Sequence, residues 1–216
     1  MDQIHPITLA IIAITCITSF FGFSNRNFFE RGKFNTDAIL RGKQFDRLLT
    51  SAFLHGDGMH LLFNMLTLYF FSNVIIATLG TGAYLIIYFA AILIGNLLSL
   101  WMYRRNPYYS AIGASGGVSG ILFAAIAIFP QLGLYIFFIP IAIPGWIFGI
   151  LYLAYSVYGM KQQLGNIGHA AHLGGALAGI IIVIILAPQV LQINGLYIGL
   201  MAIPLAALGY YVYKER

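Results

Sequence analysis

Gly113-Ala114-Ser115-Gly116-Gly117-Val118-Ser119-Gly120 opens an apolar run that continues to Phe129. Glycines spaced four apart, Gly113 with Gly117 and Gly116 with Gly120, lie along one face of a helix and let a second backbone come close, as at membrane helix crossings. On its own the pattern is satisfied by helix packing. A complement lies downstream: His172 is followed by Gly175 and Gly179, which set a smooth glycine face in line with an imidazole. Two such faces can bring Ser115 and His172 together, and a serine hydroxyl needs an adjacent base, commonly neutral histidine, to become a nucleophile.

The rest of the chain fits helices in lipid. Its 216 residues are 60% hydrophobic and 8% charged, with a mean hydropathy of +0.87, outside the balance of a soluble globular domain. Runs long enough to span, about 17–25 residues, cover Ile7 to Phe23, Met59 to Leu79 and Ala83 to Tyr103. A fourth helix is expected from Gly113 to Phe129, a fifth from about Pro144 to Met160, a sixth from about His169 to Ala187 and a seventh from about Leu196 to Tyr213. The proline-broken stretch between Pro130 and Pro144 reads as a connection or partly inserted turn. The first run has no basic leader and no small-residue cleavage site, so it is expected to stay as a helix. The expectation is an all-α polytopic protein forming one membrane domain, residues 1–216, with a core over about 7–187 and an added helix over about 196–213.

Charge narrows the chemistry. No Asp or Glu occurs between Asp57 and Glu215, so no carboxylate enters hydrocarbon, where an unpaired charge is costly. Gly113-Ala-Ser115-Gly-Gly117 satisfies the G-x-S-x-G pattern of soluble hydrolases, but the carboxylate that should fall between serine and histidine is missing. A serine–histidine dyad is what remains. The same absence argues against an aspartyl membrane protease, and no H-E-x-x-H motif is present. Cys16 stands alone, which excludes an internal disulfide. His169 precedes His172 by three residues, yet no third ligand accompanies it, so no metal or other cofactor is expected and His169 is placed at the interface. The net charge of +5 belongs to interhelical loops that orient helices rather than to nucleic-acid binding. The 31 Tyr and Phe residues are read as space-filling and interfacial.

His60 and Asn64 share one helical face and can aim donors at one spot, or tie neighbouring helices together. The segment from Ser24 to Gly58 is the long polar connection and holds six of the eleven Lys and Arg residues; loops of this length in a compact bundle are often functional.

Together, His55-Gly-Asp-Gly-Met-His60-Leu-Leu-Phe-Asn64, Gly113-Ala-Ser115-Gly116 and Ala171-His172-Leu-Gly-Gly175 with Gly179 resemble the rhomboid family of intramembrane serine proteases, in family order on the second, fourth and sixth helices. The resemblance implies a six-helix bundle plus one C-terminal helix, with Ser115 as nucleophile and His172 as general base. It implies an oxyanion hole of His60, Asn64 and the Ser115 N–H, and substrates that are transmembrane segments of other membrane proteins. Arg47 matches the family's first-loop arginine. Three positions depart: Asp46 replaces a frequent tryptophan, Ile76 a frequent glutamate, and Ser119 an aromatic residue that in some members packs on the catalytic histidine. Two rivals stay open, a catalytically silent relative that binds membrane clients and a small transporter. A cell membrane is the expected location. All 11 Lys and Arg residues fall in the odd loops and the C-terminal tail. The positive-inside rule puts those in the cytoplasm, whereas the resemblance implies the reverse, and the expectation follows the resemblance.

Overall fold

A computed structural model describes residues 4–135, 141–162 and 167–214. Its long helices are α1 (Pro6–Ser24), α5 (Gly58–Tyr103), α6 (Ser115–Ile128), α7 (Gly145–Gln162), α8 (His169–Leu186) and α9 (Gln189–Lys214). Between α1 and α5 lie the short helices α2 (Arg26–Gly32), α3 (Thr36–Leu40) and α4 (Arg47–Thr50), the strand β1 (Phe34–Asn35) and a 3-10 turn (Ser51–Phe53). The protein is an all-α multi-span membrane protein, in which α1, α5, α8 and α9 are each long and apolar enough to cross a bilayer.

At 46 residues, α5 is about 69 Å long if straight, more than twice the hydrocarbon thickness of about 30 Å. It breaks at Gly80, whose φ of 86° and ψ of 166° are non-helical and open to glycine because it lacks Cβ. The two halves, 58–79 and 81–103, match the second and third expected spans. Both ends of α5 meet the same segment: Asp57 at its end caps the start of α5, while near the far end Asn96 Nδ2 donates to Leu48 O at 2.8 Å and Phe34 pairs with Ala111 in an antiparallel ribbon of β1 with β2 (Ser110–Ala111). The helix therefore turns back on itself at Gly80.

The connection from α1 to α5 is ordered by Arg47. Its guanidinium, 7% exposed, donates from Nε to Gln44 Oε1 (2.7 Å) and from Nη1 to Glu30 O (2.9 Å) and Lys33 O (2.7 Å). Arg47 thus caps the carbonyl end of α2, where a cation is favoured, and needs no glutamate at position 76. Asp46 pairs instead with Arg31 at 2.7 Å.

At the centre stands α6, buried from Gly116 to Ala127. Its fourteen residues make about 21 Å, short of a full crossing. Glycines explain how two helices, α5 and α8, close around it. A Cβ on Gly175 would meet the Gly116 carbonyl, and one on Gly179 the Gly120 carbonyl; Gly117 lies against Tyr88 and Ile92, and Gly120 against Ala91. The expected pairing of glycine faces is present, except that Gly113 stands before the helix in a turn with φ 114°. The fourth helix accordingly starts at Ser115, two residues later than expected.

Two other boundaries differ. α9 begins at Gln189, immediately after Pro188, because Gln189, Gln192 and Asn194 are polar without interrupting the helix; Asn194 Nδ2 donates to Ala127 O and Ile128 O. The proline-broken connection contains a ribbon, β3 (Gly133–Tyr135) paired with β4 (Ala142–Pro144). Residues 136–140 of it lie outside the described residues.

Because the α6–α8 contact is backbone on backbone, Gly175→Val is expected to cost at least about 3 kcal/mol through overpacking. Gly199→Ala, with nothing within 4 Å of the added carbon, is expected to stay within about 0.5 kcal/mol. Thermal unfolding of the two variants in detergent checks both.

Candidate active site

Ser115 is the first residue of α6, and the N–H groups of a first helical turn have no partner within the helix. The turn before it is held on both sides. Gly113 N–H donates to Ser51 O at 3.0 Å, and Ala114 N–H donates to His55 Nε2 at 3.3 Å. A side chain at Gly113 would be barred twice, by its φ and by His60: a Cβ there would lie 2.7 Å from His60 Nε2 and 3.8 Å from Ser115 Oγ. That places the His60 ring beside the Ser115 hydroxyl.

His172 comes from the first turn of α8, one turn before Gly175. Its Nε2 is 2.7 Å from Ser115 Oγ, within the range of a hydroxyl–imidazole hydrogen bond. The glycine contacts between α6 and α8 set this distance, since both side chains leave their helices at the cavity end of the same close crossing. Asn64 is 6% exposed, and its Nδ2 donates to His60 O at 2.9 Å, back along its own helix. Its second amide hydrogen is not used in that bond. His60, Asn64, Ser115, Ser119, Tyr152 and His172 line one cavity of about 1340 Å³. Lys33, Arg105 and Asp57 also line it, and Asp57 accepts from His60 N–H at 2.8 Å as the cap of α5.

The expected residues thus come together, and the structure adds others. Tyr152 of α7 stacks on the His172 ring, with centroids 5.8 Å apart and planes at 26°. Its hydroxyl is 2.9 Å from Ser119 Oγ. A polar Ser119 on an apolar helix signals that it has a partner, but with 14 tyrosines in the chain nothing in the sequence selects Tyr152. His169, expected at the interface, is buried at 3% exposure, with its ring edge-on to those of Tyr155 and His172. Among the described residues no three His, Cys, Asp or Glu side chains cluster as metal ligands.

His55 forms a second layer. It is fully buried, edge-on to His60 with centroids 4.9 Å apart. Ser19 Oγ donates its single proton to Phe53 O at 2.9 Å, so His55 Nδ1–H must donate to Ser19 Oγ, also at 2.9 Å. Nε2 is then the acceptor for Ala114 N–H. One neutral tautomer links α1, the loop before α5 and the turn carrying Ser115.

A family model described as the rhomboid domain matches residues 42–189. Rhomboid protein 1, mitochondrial, of Saccharomyces cerevisiae is 30% identical over 138 residues, 62% of this chain and 40% of that protein. RHOMBOID-like protein 12, mitochondrial, of Arabidopsis thaliana is 34% identical over 145 residues, 60% of this chain and 43% of that protein. Presenilin-associated rhomboid-like protein, mitochondrial, of Homo sapiens is 33% identical over 136 residues, 62% of this chain and 36% of that protein. The chain spans less than half the length of these curated relatives. All three are named as mitochondrial, so they lend no support to the expected cell membrane.

Burial, with a smaller contribution from His60, pushes the His55 pKa down from 6.5 to about 3. Between these values the unfolded chain takes up a proton that the folded chain refuses. The stability due to His55 is therefore complete above pH 6.5 and lost as pH falls toward 3, by up to about 1.4 kcal/mol per pH unit. Unfolding in detergent as a function of pH should show this slope in the wild type. His55→Gln should be less stable at neutral pH and flatter in acid, and the difference between the profiles isolates His55 from the other histidines.

Proposed function

The chain belongs to the rhomboid family, and on that premise we propose that it is an intramembrane serine endopeptidase cutting transmembrane segments of other membrane proteins. The observation that carries the reading is the 2.7 Å approach of His172 Nε2 to Ser115 Oγ at the floor of a cavity that polar side chains line.

In this mechanism neutral His172 takes the Ser115 hydroxyl proton on Nε2 as Oγ attacks the scissile carbonyl carbon. The new C–O bond pushes the carbonyl electrons onto oxygen. His60 and the second amide hydrogen of Asn64, with the Ser115 N–H at the positive end of α6, supply donors for that oxyanion. Collapse breaks the C–N bond, and the imidazolium returns its proton to the leaving amine. The product is an acyl-serine. Water entering through the cavity loses a proton to His172 and attacks the ester, and Ser115 leaves with that proton. A bilayer core holds little water, so a polar cavity reaching the hydroxyl is a condition of hydrolysis as well as of substrate access. A substrate helix must present an unwound bond here, because helical carbonyls and N–H groups are already paired with one another.

Ser115→Ala and His172→Ala are each expected to abolish cleavage of a helical test substrate and labelling by a fluorophosphonate, with the wild-type label mapping to Ser115. His60→Ala and Asn64→Ala are expected to lower kcat by roughly 100- to 1000-fold with little change in KM. A label on Ser119, or an effect on KM alone, would refute the corresponding assignment.

A further inference from the structure

The dyad leaves one matter open: what holds the imidazole. In a triad an acid bonded to Nδ1 fixes ring and tautomer. Among the described residues no acid is bonded to His172: none occurs between Asp57 and Glu215, and Asp57 is engaged at the cap of α5. The described hydrogen bond of His172 runs through Nε2 to Ser115 alone, and one hydrogen bond leaves a ring free to swing about its own axis.

We propose that Tyr152 and Ser119 form a positioning pair that takes over this task, resting on the protease reading above. The Tyr152 ring lies nearly parallel to the imidazole, with centroids 5.8 Å apart, so rotation about χ2 of His172 would drive the imidazole into the phenol face. Tyr152 is itself flanked by Phe123, at 5.6 Å, and Phe148, at 5.9 Å. Its hydroxyl is pinned by Ser119 Oγ at 2.9 Å. Ser119 is one helical turn after Ser115 and 2% exposed, so the anchor of the support and the nucleophile share one rigid helix. The contacts close a circuit: Ser115 to His172, His172 to Tyr152, Tyr152 to Ser119, and Ser119 back to Ser115 through one turn of α6. Three helices, α6, α7 and α8, each supply a member. Neither hydroxyl of the pair touches the reacting atoms, so their effect is on alignment.

The test measures kcat, KM and fluorophosphonate labelling rate for the wild type, Tyr152→Phe, Ser119→Ala, their double variant and Tyr152→Leu. Misplacing a catalytic group by about 1 Å can cost 100-fold. Tyr152→Leu is accordingly expected to lower kcat and labelling by roughly 10- to 100-fold with KM nearly unchanged, while Tyr152→Phe and Ser119→Ala, which keep the ring or its slot, lose roughly 3- to 10-fold. Because the two mild changes remove the same hydrogen bond, the double variant should be no slower than the slower single one. A merely structural role would lower thermal stability without separating kcat from KM and without this non-additivity. If Ser115 is labelled in the wild type and the mild variants match it, or if their losses multiply, the proposal is overturned while the protease reading stands. A wild type that neither cleaves nor labels overturns both. Should Tyr152→Leu fail to fold, the conservative pair still decides.

Discussion

Backbone contact between α6 and α8 is the constraint on which the other features depend. Gly116 against Gly175 and Gly120 against Gly179 bring two helices nearer than any Cβ would permit. In lipid, where apolar surface gives no hydrophobic drive between helices, such proximity is rewarded by dispersion and by weak Cα–H···O contacts. The result is a rigid crossing. A serine and an imidazole mounted one turn or less from it are held within hydrogen-bond range without a carboxylate to tether them. Removing charge from the bundle and removing Cβ from its centre are two aspects of one solution: the site is aligned by packing because electrostatics inside hydrocarbon would be expensive.

The support extends outward by hydrogen bonds that use no carboxylate. His55 accepts from Ala114 N–H and donates to Ser19, so the turn preceding Ser115 is tied to α1. Arg47 binds the carbonyls that end α2, and Asn96 binds Leu48 O, so the segment between α1 and α5 is fastened to the far half of α5. Arg47 is thus satisfied mainly by peptide dipoles, which lets a buried guanidinium do without an acid. These links explain how a long polar connection becomes a wall of the cavity, with Lys33 and Asp57 among its lining.

Much of this was legible because periodicity carries over into lipid. Glycine pairs four apart, a histidine in line with two of them, and a His60–Asn64 pair on one face already placed Ser115 and His172 opposite each other. What was not legible depended on choices among equivalent residues or on irregular backbone. Any of 14 tyrosines could have met Ser119, and only the docking of α7 picks Tyr152. Gly113 fits a helical glycine face by spacing, but its φ of 114° belongs to a turn, a distinction that spacing cannot carry. The N-terminal turns of α9 are not legible because Gln189, Gln192 and Asn194 look like a loop by hydropathy while the backbone there is helical. An interfacial His169 says nothing of what surrounds its ring, and the slot that Gly159 leaves for it depends on the docking of α7 on α8.

The burial of α6 has a consequence for how the surrounding lipid can act on this molecule. From Gly116 to Ala127 every residue of α6 is covered by protein, which leaves acyl chains no access to the body of the helix that bears Ser115. Lipid meets other surfaces instead, among them Leu62, Phe70, Ile86 and Ile185. Hydrophobic mismatch acts on the elements that lipid wets, tilting or displacing them at a modest cost per ångström. Bilayer thickness therefore bears on α5 and α8, while the helix that carries Ser115 has no length to match. A helix too short to span is in this setting an insulated one, and the Ser115–His172 contact it carries need not be rebuilt for bilayers of different thickness.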